Sequence, residues 1–180
     1  MQIIETEIPG LMIVEPNMIF DSRGFFLKTF HNEIFSELGL NTIWKEEYFS
    51  SSHKNVLRGL HFQIPPQDHF KLVTCVQGAV LDVVVDLRKN SSSFKKVYSV
   101  ELNSSNRKQL LIPKGLAHGF LSLESNSIMF YKVSSVYSQL SDLGILWNSI
   151  DFEWPVKKPI ISQRDKSHQQ LQMFNSPFFL

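Results

Sequence analysis

Lys71-Leu72-Val73-Thr74-Cys75-Val76-Gln77-Gly78-Ala79-Val80-Leu81-Asp82-Val83-Val84-Val85-Asp86-Leu87 is the stretch that decides the fold. From Ala79 onward every odd position is apolar: Ala79, Leu81, Val83, Val85 and Leu87. The even positions alternate Val80, Asp82, Val84 and Asp86. Successive side chains of an extended chain point to opposite faces, so this is a strand with one wholly apolar face. Lys71–Val76 reads as a second strand, and the short Gln77-Gly78 break between the two predicts a β-hairpin.

Working outward, further short strands are predicted at 11–15, 24–30, 56–63, 97–102, 109–112 and 127–133. Turn signals separate them, among them Asn103-Ser104-Ser105-Asn106 and Pro113-Lys114-Gly115. One helix is expected: Asn32 would cap it, Ile34, Phe35 and Leu38 share a face, and Gly39 would end it. Many short strands divided by turns predict an all-β sandwich or barrel. Fifteen phenylalanines give such a fold a bulky interior. No repeat, low-complexity segment or linker divides the 180 residues, which predicts one domain over 1–180.

The bulk numbers narrow the function classes. Apolar residues make up 43% and charged residues 19%, an ordinary globular balance. A formal net charge of +1 creates no global field for nucleic acid or a membrane surface, so an anionic ligand must be held by local cations. Asp82 and Asp86 break the longest apolar runs, and nothing approaches the roughly 20 residues of a membrane helix. Met1-Gln2-Ile3-Ile4-Glu5 lacks the basic-then-apolar pattern of a secretory signal. The single cysteine, Cys75, rules out an intrachain disulfide and fits a reducing cytoplasm.

Chemistry-bearing residues cluster in four places. In Val56-Leu57-Arg58-Gly59-Leu60-His61-Phe62-Gln63, His61 and Gln63 share one strand face and Leu60 and Phe62 the other. The polar pair either lines a barrel interior or faces solvent. Ile112-Pro113-Lys114-Gly115-Leu116-Ala117-His118-Gly119-Phe120 places a bend just before a histidine in an apolar setting. Two histidines on separate strands suggest a metal site. The position where a carboxylate ligand would complete it holds Lys71, whose ammonium repels a cation, so no metal is expected. Tyr131 and Tyr137 stand near the end of a strand, and Arg164-Asp165 lies beyond the core strands. Taken singly, each of these reads equally as packing or as solvated surface.

Together they form a pattern. From about Ile8 to Asp165 the chain resembles the dTDP-4-dehydrorhamnose 3,5-epimerase family of the cupin superfamily. The landmarks are Phe20-Asp21-Ser22-Arg23-Gly24-Phe25-Phe26, Arg58 to Gln63, Lys71-Leu72-Val73, Asp82-Val83 and Val85-Asp86-Leu87-Arg88. They continue with Ile112-Pro113, Ala117-His118-Gly119-Phe120, Tyr131, Tyr137, Trp147-Asn148, Trp154-Pro155, and Ser162 with Asp165.

The resemblance implies a cupin-type jelly roll, a double-stranded β-helix barrel with a few short helices. It implies no cofactor, a nucleotide-diphospho-sugar substrate, and a homodimer that exchanges N-terminal strands. His61 would remove a proton beside a C4 ketone, Asp165 would support it, and Lys71 would stabilise the enolate oxygen. Tyr131 would reprotonate from the opposite face. Arg58 and Arg23 would hold the diphosphate, His118 the sugar, and Tyr137 would pack near the nucleoside. Gln63 and Arg164 fall within the matched substrate-binding segments, and Arg23 and Phe26 would serve the partner subunit's ligand.

Three positions depart from typical members: Lys28, Glu46 and Tyr48 replace acidic, amide and amide residues toward the nucleotide. An ionised Glu46 only accepts hydrogen bonds, which favours a base with an exposed amino group, so CDP or GDP is expected over dTDP. A Lys28–Glu46 pair across the dimer would cancel that preference. Three alternatives compete with a 3,5-epimerase. A mono-epimerase would use the same residues. A metal-dependent cupin would need three ligands. A non-catalytic sugar-binding cupin would be expected to have lost the His61, Lys71, Tyr131 and Asp165 set.

Overall fold

A computed structural model describes all 180 residues. Thirteen strands, numbered along the chain, build two facing sheets and a separate hairpin. The first sheet runs β1 (Gln2–Glu5), β2 (Met12–Glu15), β10 (Gln109–Ile112), β7 (Lys71–Gln77), β12 (Ser127–Val133), β5 (Glu46–Ser52). The second runs β13 (Asp142–Gly144), β6 (Leu57–Gln63), β11 (Leu116–Ser122), β8 (Ala79–Asp86), β9 (Val97–Asn103). The hairpin pairs β3 (Met18–Asp21) with β4 (Gly24–Leu27). This is the expected all-β, cupin-type barrel, with only two short helices, α1 (Asn32–Glu37) and α2 (Gln163–Lys166), and one 3-10 turn.

The deciding stretch forms both strands but not the hairpin. β7 pairs with β10 and β12, whereas β8 pairs with β11 and β9 in the other sheet. Gln77-Gly78 is therefore a corner between sheets. Gly78 has φ +74°, and a Cβ there would stand 2.6 Å from Ser127 Oγ, so only glycine fits the turn. Both faces of β8 are needed inside, so its two edges go to neighbours in its own sheet.

Those two faces do different jobs. Val83, Val85 and Leu87 join Leu57, Leu60, Phe62, Ile145, Ile150, Trp154, Leu171 and Phe178 in a core beneath the C-terminal segment. Val80 and Val84 point between the sheets, against Val73, Cys75, Leu110 and Ile112. Each valine fully buried this way contributes on the order of 1.5–3 kcal/mol. The mixed face is thus interior, and it carries Asp82, with no exposed surface, toward the site.

Helix α1 departs from expectation at its start. His31 occupies the cap position and makes no side-chain cap bond, while Asn32 is already helical. Only Phe35 is buried, beside Val14, Leu72 and Leu111 and edge-on to Phe30 at 4.9 Å. Leu38 remains 45% exposed, because a six-residue helix presents barely one apolar turn. Gly39, at φ +68°, closes the end as expected. No helix is long and apolar enough to cross a membrane.

Candidate active site

A cavity of about 690 Å³ is lined by side chains from both sheets and from α2. That volume suits a small organic ligand. The backbone of β6 is bent to serve it. His61 opposes His118 and Arg58 opposes Phe120, so four residues of β6 face three of β11. This bulge turns Arg58 and His61, three positions apart, into one cavity. Gly59 makes it possible: φ is +137°, and a Cβ would lie 2.6 Å from Gly119 Cα on the neighbouring strand.

His61 is 28% exposed, and its Nε2 lies 2.8 Å from Asp165 Oδ1. Asp165 arrives on α2, whose start is fixed by Ser162 Oγ accepting the Asp165 N–H at 3.0 Å. The other carboxylate oxygen accepts the Gly59 N–H at 3.1 Å, tying the C-terminal helix to the bulge. In neutral His61 with its proton on Nε2, that proton is donated to Asp165, which leaves the Nδ1 lone pair able to accept a proton. Burial pushes His61 below the ordinary imidazole value, against the pull of Asp165, with Lys71 and Arg164 adding repulsion. Burial pushes Asp165 up, but the imidazoles of His168 and His61 and the Gly59 N–H outweigh it and hold it well below the carboxylate range.

Lys71 on β7 is buried, with Nζ donating to the His61 carbonyl at 3.2 Å. Burial lowers its ammonium to about 8, against the attraction of Asp142 and Asp82. His118 sits beside His61, its Nε2 2.9 and 3.0 Å from the two oxygens of Asp82. Burial raises Asp82, partly offset by His118. On the opposite sheet Tyr131 is 7% exposed, with its hydroxyl 3.3 Å from Ser50 Oγ and its ring stacked on Tyr48 at 4.7 Å. Burial pushes its phenol well above the ordinary value, so it stays protonated.

The remaining expected residues divide into two groups. Arg58 lines the cavity, pinned by Ser52 Oγ and the Ser51 carbonyl, each at 3.0 Å. Arg164 lines it too, paired with Asp142 at 2.6 Å, and so do Glu46, Tyr48 and Tyr137. Gln63 is at the cavity wall, but its amide is committed to protein: its nitrogen reaches Gln67 O at 2.9 Å and Val136 O at 3.1 Å, and its oxygen accepts the Ser138 N–H at 2.6 Å. It holds the loop that carries Tyr137 rather than a ligand. Glu46 is likewise engaged, accepting the Tyr137 N–H at 2.8 Å. Arg23, Phe26 and Lys28 are not brought to this cavity; Arg23 pairs with its neighbour Asp21 at the exposed hairpin tip.

Three contributors had escaped the sequence: Ser50, Asp142 and His168. For His168 a signal existed, since it follows Asp165 by three residues and turns back toward it just past the end of α2. His61, Asp165 and His168 hold three donor atoms within 4.8 Å of one another. Two cations, Lys71 and Arg164, bear on His61, and both oxygens of Asp165 already accept hydrogen bonds, so the set suits proton transfer better than a cation.

Barrel and cavity together define a cupin-type sugar epimerase, with acid–base groups on facing sheets. The model of the dTDP-4-dehydrorhamnose 3,5-epimerase family matches residues 5–173, and the chain belongs to that family. The Shigella flexneri dTDP-4-dehydrorhamnose 3,5-epimerase is 44% identical over 94% of this chain and 96% of its own. The enzyme of that name from Methanothermobacter thermautotrophicus is 40% identical over 98% and 97%. The Legionella pneumophila Philadelphia 1 dTDP-6-deoxy-D-glucose-3,5-epimerase, solved with dTDP-4-keto-L-rhamnose, superposes at TM-score 0.94 with 35% identity, covering 99% of this chain and 98% of its own. A 3'-monoepimerase from Streptomyces bikiniensis, solved with dTDP-quinovose, superposes at 0.87 with 30% identity over 93% and 86%. The protein is an isomerase of nucleotide-linked deoxysugars.

Proposed function

We propose that this protein inverts C3 and C5 of a dTDP-linked 4-keto-6-deoxy sugar. The observation that supports it best is the placement of His61 with Asp165 on one sheet side and of Lys71 and Tyr131 on the other, around one cavity. A proton beside a ketone leaves only if the carbanion spreads onto oxygen. His61 takes that proton at Nδ1, and Asp165 stabilises the imidazolium. Lys71 supplies fixed positive charge for the enolate oxygen, strongest where water is excluded. Tyr131 returns a proton to the opposite face of the planar carbon, which inverts it.

Arg58 and Arg164 offer guanidinium groups to a diphosphate at the cavity mouth. His118 contacts the sugar and Tyr137 packs on the nucleoside. With Glu46 bound to the Tyr137 backbone, the reason to favour CDP or GDP is gone, and the relatives' dTDP names carry the assignment. The β3–β4 hairpin supports a homodimer: Ile19, Phe20, Phe25 and Phe26 are 62%, 70%, 47% and 60% exposed on a hairpin outside both sheets. Exchanged, it would bring Arg23, Phe26 and Lys28 to the partner's ligand. The absence of any long apolar helix and the free Cys75 agree with work in the cytoplasm.

The test is a panel of dTDP-, CDP- and GDP-linked 4-keto-6-deoxy sugars turned over in deuterated water. Deuterium is expected at both C3 and C5 of the dTDP sugar. Exchange at C3 alone would place the protein with the mono-epimerases, and none on any sugar would refute the assignment.

A further inference from the structure

Asp165 has a second imidazole. His168 follows it by three residues, two past the end of α2, its side chain 11% exposed. Its ring is edge-on to His61, with centroids 5.5 Å apart and planes at 77°. Its Nε2 is buried without a hydrogen-bond partner, and 3.6 Å away stands Asp165 Oδ1, the same oxygen that His61 uses. The ring cannot drift, because it lies directly on Gly144 of β13, where any Cβ would collide with it. Gly144 in turn is the register partner of His61.

We propose that His168 is a positioning residue for the base, competing with His61 for one oxygen of Asp165 and so limiting how tightly that carboxylate holds a proton on His61. The inference rests on the proposed role of His61. A base whose partner grips its proton too firmly stays protonated and idle at neutral pH. Across 3.6 Å, beyond hydrogen-bond range, a neutral His168 with its proton on Nε2 still pulls electrostatically on Oδ1, and a cationic His168 repels a second imidazolium. Both states act on His61 in the same direction, favouring its neutral form.

The other charges around the group are fixed by their own contacts. Lys71 on β7 reaches the His61 carbonyl, Arg164 on α2 is paired with Asp142 on β13, and the His118–Asp82 pair closes the far side. Of these, Lys71 and Arg164 push His61 in the same direction as His168, and burial adds to them. His168 is the one that acts through the carboxylate.

The test uses His168→Phe, which keeps a ring on Gly144 but removes the N–H, and His168→Gln, whose amide restores a donor near the Nε2 position. The His61 imidazole is titrated by NMR in the free protein, and kcat/KM is measured against pH. In the Phe variant the acid limb is expected to move up by about 0.5–1 pH unit, a loss of about threefold to tenfold below the original midpoint with little change on the alkaline side. The Gln variant should titrate near the parent value. A limb that stays in place in the Phe variant while kcat falls at every pH, or that moves equally in both variants, overturns the proposal. The NMR titration needs no substrate, so a wrong sugar assignment would leave it readable.

Discussion

Two histidine–aspartate pairs stand side by side in this barrel, and they are not equivalent. His61 and His118 are direct register partners on adjacent strands. His118 takes its carboxylate from β8, one strand away in the same sheet, and both partners are sealed, at 4% and 0% side-chain exposure. His61 takes its carboxylate from a helix beyond the barrel and remains 28% exposed to the cavity. Burial raises Asp82, while hydrogen bonding holds Asp165 far down. The same two residue types make a sealed pair in one case and a pair open to the cavity in the other. What differs is where the carboxylate comes from and how much water reaches the ring.

The sharpest way to break that comparison is to exchange each histidine for asparagine. His61→Asn should lower turnover by about 10²–10⁴-fold and abolish deuterium exchange in a folded protein. His118→Asn should keep exchange and lose mainly affinity, read as a raised KM. If exchange survives in His61→Asn, the open pair is not the base. Next in size, Tyr131→Phe should cut inverted product by about 10²-fold while exchange by His61 persists. Equal loss of both would remove Tyr131 from the role of opposite-face acid.

A smaller effect follows from pH. The rate should rise as His61 loses its proton, at a midpoint below the ordinary imidazole value, and fall as Lys71 loses its own near 8. A profile flat between pH 7 and 9.5 would show that the Lys71 charge is not required. The closed pair predicts a stability effect instead: Asp82→Asn leaves a buried imidazole poorly matched, costing about 1–3 kcal/mol. In a chain of this size that lowers Tm by about 3–10 °C, measurable by calorimetry. The smallest expected effect is none: dialysis against a chelator should leave activity unchanged, and metal-dependent recovery would reverse the assignment of Lys71.

The same contrast shows what the sequence carried. Strands with strong alternation were legible, and β8, β10 and β12 fall where the spacing placed them. β5 was not, because Glu46-Glu47-Tyr48-Phe49-Ser50-Ser51-Ser52 has no apolar alternation and owes its extension to pairing with β12. β11 looked like a bend after Pro113-Lys114-Gly115, yet all seven of its residues are buried. The Gln77-Gly78 corner resembled a hairpin because local sequence encodes a reversal but not which sheet receives the next strand. In the site, His61, Lys71, Tyr131 and Asp165 were found through resemblance. Spacing alone could not bring residue 165 to residue 61, since that contact depends on the capped helix and the Gly59 bulge. Gln63 and Glu46 line the cavity as expected, but their hydrogen bonds to the Tyr137 loop were not legible, because a polar residue at a cavity wall looks the same in sequence whether its hydrogen bonds face in or out.

His61 hangs from the five-stranded sheet and Tyr131 from the six-stranded one, with no ladder joining them. Side-chain packing, the chain corner at Gln77-Gly78 and cross-sheet hydrogen bonds such as Lys71 Nζ to the His61 carbonyl set their separation. A slip of one ångström would leave every strand intact and the circular dichroism spectrum unaltered. It would still cost on the order of a hundredfold in rate. Turnover in this molecule is therefore a ruler for the gap between two sheets, finer than any spectrum of the strands themselves.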